Sequence, residues 1–290
     1  MSTPTTEQQS AVEAAVREIA HIATLPEITV RIIELVEDPT STAQDLRTVI
    51  ENDPALCARV LKVVNSSFYG TPGQVESIER AIVLLGLNAV KNIAISASLT
   101  KLFKGGEVAP GFSAKELWVH CVATATAAKR LAMELGMALT DQAFLAGLIH
   151  DVGLMVELQV DRSKLIDVVS ELGSPPQKDI RALEAKIFGA NHEQFGAGLC
   201  KKWKFPNSLV EVVGKHHEPL EAEENCKQLA LLVHAAEKLA ARASLGFSGD
   251  VFNQQIGAAE QEALGLTPEQ LETILEELPD LVEEIQALLS

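Results

Sequence analysis

The sequence predicts an all-α protein built in two helical parts, and three observations carry that expectation. Its 290 residues are 47% hydrophobic but only 4% aromatic, a balance dominated by Leu, Ala, Val and Ile that suits helices packed on helices. Apolar residues recur at three- and four-residue intervals along most of the chain. Strong strand-like alternation, an Asn-Gly hairpin turn and an internal repeat of about 20 to 50 residues are all missing. At roughly 150 residues per domain, the length allows about two compact units, each able to bury a core without disulfides or structural metal.

The elements follow from local signals. The polar lead, residues 1–10, is expected to fray, and Val12, Val16, Ile19, Ala20 and Ala23 then trace a first helix ending near Leu25-Pro26. Ile32, Ile33, Leu35 and Val36 mark a short helix stopped at Asp38-Pro39, and Ser41 is the candidate cap of the next. Asp53-Pro54 combines a capping carboxylate with proline at the first helical position, before Leu56, Val60, Leu61 and Val64. That helix runs out at Asn65-Ser66-Ser67. Ser77 caps another, only partly, because Arg80 stands where a capping box has Glu or Gln, and Gly86 ends it. A further helix spans Asn88 to Leu102. The Gly- and Pro-rich stretch from Lys104 to Gly111 then marks a boundary.

Ser113 opens the second half with a helix through Leu135, and another runs from about Thr140 through His150-Asp151, with several shorter helices after it. Thr267-Pro268-Glu269-Gln270 is a capping box that makes the acidic C-terminal segment helical, with an interruption expected around Pro279. The implied organisation is a lead and first helix (1–21), an N-terminal helical subdomain (22–110), a second helical subdomain (111–245) and an acidic helical extension (246–290).

Charge narrows the function classes. Lys and Arg number 24 against 40 Asp and Glu, a formal charge of -16, which argues against nucleic acid or an anionic membrane surface as partner. The excess is local: residues 246–290 hold ten acids and no Lys or Arg. There Leu271, Ile274, Leu275, Leu278, Leu281, Val282 and Ile285 form an apolar stripe suited to packing on the protein's own core. No basic leader with an apolar stretch starts the chain, and no uninterrupted apolar run nears the roughly 18 residues of a membrane span, so a cytoplasmic protein is expected. Cys57, Cys121, Cys200 and Cys226 form no CxxC pair and read as reduced, mostly buried thiols.

Chemistry concentrates in the seven histidines. Glu116 and His120 stand four apart on one helix face, so one ion could meet both. Adjacent His150 and Asp151 leave their helix in different directions, which suits an imidazole on one ion and a carboxylate reaching a second. Such ligands without thiolate favour Fe, Mn, Zn or Ni. Two such ions would activate water and orient a phosphate.

The chain resembles the HDOD proteins, a branch of the HD metal-dependent phosphohydrolase superfamily associated with bacterial signalling. The resemblance runs from about Ile22 to Ala240. It is carried by Leu25-Pro26, the Ile50 to Leu56 segment around Asp53-Pro54, the Val60 to Ser66 segment, Ser77 to Ile82 and Leu85-Gly86, then by Trp118-Val119-His120, the Ala146 to Gly153 segment around His150-Asp151, His192 with Gly196, Trp203 with Pro206, and His216-His217-Glu218-Pro219. By resemblance to metal-bearing HD relatives, especially the HD-GYP branch that cleaves cyclic dinucleotides, His120, His150, Asp151, His192, His216 and His217 fall on metal-ligand positions. Glu116 matches an upstream carboxylate of some relatives, and Glu237 stands where a closing Asp is expected. The implied cofactor is one or two transition-metal ions, iron first, with Mn, Zn or Ni as alternatives.

Two departures weigh against ordinary catalysis. Leu154 occupies the place where active relatives commonly carry Lys, and no Gly-Tyr-Pro loop follows His216-His217. A missing cation at a phosphoryl site costs on the order of 3 kcal/mol of transition-state stabilisation while leaving metal affinity intact. The expectation is therefore a signalling or regulatory protein that keeps a metal site and acts through a protein partner or a ligand such as a nucleotide. The alternative is a metal-dependent phosphohydrolase of nucleotides or cyclic dinucleotides. In the first half, Asp53-Pro54 and Asn65 read as architecture, Asn65 as a buried turn residue. The Asn65 to Gly70 turn with Phe68 and Tyr69 is the one candidate contact for a ligand. His21 and His234 stand outside the ligand set.

Overall fold

Helices begin as soon as the described chain does. The computed structural model describes residues 6–18, 27–38, 40–103, 107–173 and 178–289. Ile19, Ala20, His21, Ala23, Leu25-Pro26, Pro39 and the 104–106 part of the expected boundary lie outside them. Helix α1 (Thr6–Glu18) already includes half of the lead expected to fray. Tertiary packing explains this, since Val12 and Val16 lie against Gly198 and Lys202 Nζ donates to the Val16 carbonyl at 3.0 Å.

Five helices form the first half: α2 (Glu27–Glu37), α3 (Ala43–Glu51), α4 (Pro54–Val64), α5 (Ile78–Leu85) and α6 (Leu87–Leu99). Thr42, not Ser41, caps α3, because Asp45 at its third position completes a reciprocal box with Thr42. Ser41 is drawn off instead, donating to the Leu35 carbonyl at 2.6 Å and accepting from Lys91. Asp53 accepts from the amides of Ala55 and Leu56, and Ser77 from Arg80, as their patterns imply. Asn65 is exposed rather than buried: its side-chain amide closes the turn by bonding both backbone groups of Val75 at 2.7 and 2.8 Å. Phe68 and Tyr69 of the same turn are partly buried over Lys129, whose Nζ lies 3.5 Å from the Tyr69 ring centre and 2.9 Å from Asp141. The turn thus receives an internal cation.

A short antiparallel hairpin, β1 (Glu107–Ala109) and β2 (Phe112–Ser113), follows α6. These strands are too short to show alternation, and Gly111 at φ 83° makes the turn between them. The second half holds α7 (Ala114–Glu134), α8 (Thr140–Ile149), α9 (Val152–Val160), α10 (Arg162–Leu172), α11 (Ile180–Phe188), α12 (His192–Lys202), α13 (Asn207–Val213) and α14 (Lys227–Arg242). Helix α7 is the axial element, packed by α8, α14 and, from the extension, α16 (Pro268–Leu289), with α15 (Ala258–Leu264) on α14. The stretch Thr140–Val160 is long and apolar enough to cross a membrane, with mean hydropathy 1.4, yet 83% of its apolar window is buried inside the protein. All four cysteines are free thiols, three buried and Cys57 partly so.

Helix α16 continues through Pro279, contrary to the expected interruption. Proline removes the bond to the Leu275 carbonyl, but Pro279 faces solvent while Leu278 and Val282 remain buried, so packing on either side of the proline holds the helix. Leu271, Ile274, Leu278, Val282 and Ile285 are buried and Leu275 and Leu281 half-buried, which makes the apolar stripe a self-packing face. Leu278→Ala is expected to lower unfolding free energy by about 2–5 kcal/mol in denaturant titration. Val83→Ala, at a side chain 70% exposed, is expected to change it by no more than about 0.5 kcal/mol.

Candidate metal centre

Each functional side chain is placed by a local constraint. His120 lies in the second turn of α7, which Ser113 caps by accepting from the Glu116 amide. His150 and Asp151 stand in the turn between α8 and α9, not inside one helix as expected. This break aims both side chains inward. Close backbone contact fixes it: a Cβ on Gly147 would meet Ala125 of α7, and one on Gly153 would collide with the His192 carbonyl. His192 opens α12 behind the reciprocal Asn191–Gln194 cap. His216 and His217 follow α13, and Glu237 lies on α14.

These residues converge, although they span more than a hundred positions. Asp151 sits at the middle with two faces. Its Oδ2 lies 3.4 Å from His150 Nε2 and 3.7 Å from His120 Nε2, and its Oδ1 lies 3.5 Å from His216 Nε2 and 3.7 Å from His192 Nε2. His217 Nε2 is 3.0 Å from His192 Nε2, and His217 Nδ1 is 3.6 Å from Glu237. His120, His150, Glu237 and Asp250 form one group whose ligand atoms lie within 4.8 Å of one another. His192, His216 and His217 form a second, and His150, Asp151 and His216 a third that joins them.

Glu116 is not among them. It is exposed at the start of α7, where spacing puts it over His120 but the helix end reaches solvent. Residues 245–251 cross at that level: the Phe247 amide donates to the Glu116 carbonyl at 3.1 Å, and Asp250 enters the cavity instead, 3.4 Å from His120 Nε2. Asp250 was legible only as one acid of the tail. Its place ten residues before the next acid, between Phe247 and Val251 in a Gly-rich turn, was the available signal. Glu184 was also missed. It is fully buried on α11 and accepts from His192 Nδ1 at 2.8 Å and from the His192 amide at 2.9 Å. An acid on the apolar Ile180, Leu183, Ile187 side of a helix is the trace it leaves in sequence.

The ring orientations are settled by these outer bonds. His150 Nδ1 lies 2.7 Å from the Gly147 carbonyl and His216 Nδ1 2.9 Å from the Val213 carbonyl, so each donates outward and presents Nε2 to the cavity. His192 does the same through Glu184. His234, outside the set, donates from Nδ1 to the His216 carbonyl at 2.6 Å and meets Glu260 with Nε2, which makes it a support of the His216 turn.

The donor atoms suit an ion. Both nitrogens of His120, Nε2 of His150 and His216, both oxygens of Asp151 and of Asp250, and Oε1 of Glu237 are buried without a hydrogen-bond partner. So many unpaired buried polar atoms would be costly, and a cation at each cluster would satisfy those that face it, one nitrogen of His120 among them. An ion held by these imidazoles and carboxylates would supply Lewis acidity in a largely enclosed site. A cavity of about 250 Å³ adjoins it, lined by His217, Glu237 and Asp250 with Arg181, Lys238 and Phe252.

Electrostatics divides the group. Burial opposes ionisation of Asp151, but His150, His216, His192 and His120 outweigh it and hold its carboxyl well below the usual range. Burial, then the Asp151 charge, pushes Asp250 well above that range. Burial also raises Glu237, only partly offset by His216. Burial lowers His150 to about 3. For His192 burial is overcome by Glu184, and the ring is raised to about 10. At neutral pH His192 therefore carries a proton that coordination must displace, and Asp250 and Glu237 give up theirs less readily than ordinary carboxyls. Metal affinity is expected to fall as pH drops from 8 to 6, by about tenfold per unit for each displaced proton, in chelator-competition titrations. A flat profile would contradict this. Glu184→Gln, which weakens the acceptor behind His192, is expected to lower metal affinity by about 10- to 100-fold in the same titration.

Comparison with known proteins agrees with this architecture. The HDOD domain family model matches residues 22–219. A curated relative, an uncharacterized protein of Treponema pallidum (strain Nichols), is 27% identical over 218 residues, 73% of this chain and 40% of the relative, so this chain spans well under half of that protein's length. A solved structure from Marinobacter aquaeolei VT8, provisionally described as a signal transduction protein, is 25% identical with a TM-score of 0.77, covering 99% of this chain and 66% of that one. Another from Shewanella amazonensis SB2B, provisionally described as a phosphohydrolase, is 23% identical with a TM-score of 0.73, covering 97% and 98%, a likeness of fold. With its helical architecture and a family match over more than half its length, the chain belongs to the HDOD domain family.

Proposed function

We propose that this is a cytoplasmic signalling or regulatory HDOD protein whose second helical subdomain (111–245) holds one or two transition-metal ions and which acts chiefly by binding a protein partner or a small ligand. The ligands in this reading are His120, His150, Asp151, His192, His216, His217 and Glu237. Iron comes first by resemblance to the HD relatives, with Mn, Zn or Ni as alternatives that the same imidazole and carboxylate set would accept. The 22–110 subdomain and the acidic 246–290 extension would frame that centre. Neither nucleic acid nor a membrane is the partner in this reading.

One observation carries the preference for binding over turnover: the cage is full of donors for cations and poor in cations for a phosphate. Leu154 is wholly buried beside the His150-Asp151 turn. Arg181, at the adjoining cavity, is occupied by Asp179 at 3.1 Å and Glu218 at 3.2 Å. Lys238 is occupied by Glu260 at 3.1 Å. Phosphoryl transfer depends on positive groups free to follow charge as it develops on the oxygens.

The second reading, a metal-dependent phosphohydrolase, draws on the placement of Asp151 between two histidine groups, an arrangement that suits two ions flanking one reacting phosphate. Purified protein reconstituted with Fe(II) or Mn(II) is expected to show no turnover of nucleotide phosphomonoesters or cyclic dinucleotides above a His150→Ala control. Turnover that this substitution abolishes would reverse the ranking.

A further inference from the structure

Asp250 lies outside residues 22–219 and behaves unlike any other acid of the extension. Its side chain has no solvent exposure, and neither oxygen has a hydrogen-bond partner. It points at His120, whose two ring nitrogens are also unpartnered. The segment that carries it is seated closely on α7. Gly246 has φ 79°, and a Cβ there would collide with the Glu116 carbonyl and the His120 amide, so only glycine permits this approach. Phe247 then packs edge-on against Phe112 at 4.8 Å.

We propose that Asp250 supplies the carboxylate ligand on the His120 side of the centre, the role Glu116 does not fill, and that metal occupancy thereby fastens residues 245–251 to α7. This inference rests on the metal-bearing reading above. The four donors His120, His150, Glu237 and Asp250 come from α7, the α8–α9 turn, α14 and the strap, so one ion would tie all four segments. Without it the strap's polar contacts with α7 are the Phe247 amide bond and the 3.4 Å approach of Asp250 to His120, and Asp250 is left as a buried acid near Asp151 and Glu237. Phe252, two residues beyond and 59% exposed, and α15, tied to α14 through Glu260, follow directly after the strap. Occupancy at the centre would therefore be communicated to the outer surface through a segment that binds the ion itself.

The 290-residue chain without a histidine tag would be compared as wild type, Asp250→Asn and Glu116→Gln, each stripped with chelator and then reloaded with Mn(II), by metal content, Mn(II) titration and hydrogen exchange over residues 245–257. In the wild type, Mn(II) is expected to slow exchange in the strap by about tenfold or more. Asp250→Asn is expected to bind Mn(II) at least about tenfold more weakly and to show strap exchange indifferent to the metal, while Glu116→Gln matches the wild type. Asp250→Asn binding Mn(II) as tightly as the wild type would overturn the inference and leave the metal reading standing. So would wild-type strap exchange that ignores bound Mn(II), a comparison that needs no variant to fold. Wild-type protein that takes up no metal at all would overturn the metal reading first, and this inference with it.

Discussion

The carboxylate of Asp151 is the constraint on which the rest of the site depends. It is wholly buried, the imidazoles around it outweigh that burial and hold its carboxyl well below the usual range, and its two oxygens face two different pairs of those rings. A buried charge of this kind persists only where cationic or polarised neighbours offset its lost hydration. The fold supplies them from α7, the α8–α9 turn, α12 and the turn after α13. Glycines at 147 and 153 let those backbones approach, and bonds from Nδ1 of His150, His192 and His216 turn each ring so that Nε2 faces the acid. Close packing and ring orientation therefore serve one centre.

The second layer has its own logic. Glu184 holds His192, and burial first, then the charges of Glu184 and Asp151, push the equally buried Glu157 well above the ordinary carboxyl range. His234 holds the His216 backbone and is in turn held by Glu260 of the extension. The C-terminal segment thus reaches the centre directly through Asp250 and supports it indirectly through Glu260 and His234. The sequence reads it as an acidic helix that packs its apolar stripe on the protein's own core. In the fold one of those acids is an interior group.

Local sequence signals served well where local energy decides. Asp53-Pro54, Ser77, Ser113 and the Thr267–Gln270 box all cap as their patterns imply, because a side chain two or three residues away meets an otherwise unpaired amide. The histidines that converge were legible through family resemblance, since spacing alone does not bring His120 to His216. What stayed hidden was set by distant contacts. Thr42 displaced Ser41 as a cap because Lys91 and the Leu35 carbonyl claim the serine. The break at His150-Asp151 depends on contacts with α7 and α12. Glu116 shares a helix face with His120, yet which acid reaches the cavity depends on where residues 245–251 cross α7, a tertiary fact with no local periodicity.

The most direct test is anomalous X-ray diffraction from crystals of untagged protein grown without chelator, with data on both sides of the iron and manganese edges. One or two anomalous peaks within coordination distance of the Asp151 oxygens, each also reached by Nε2 of at least one of the surrounding histidines, are the expected result. Density at that position with no anomalous signal, persisting after the crystals are soaked in Fe(II) or Mn(II), would contradict a metal centre built around this acid.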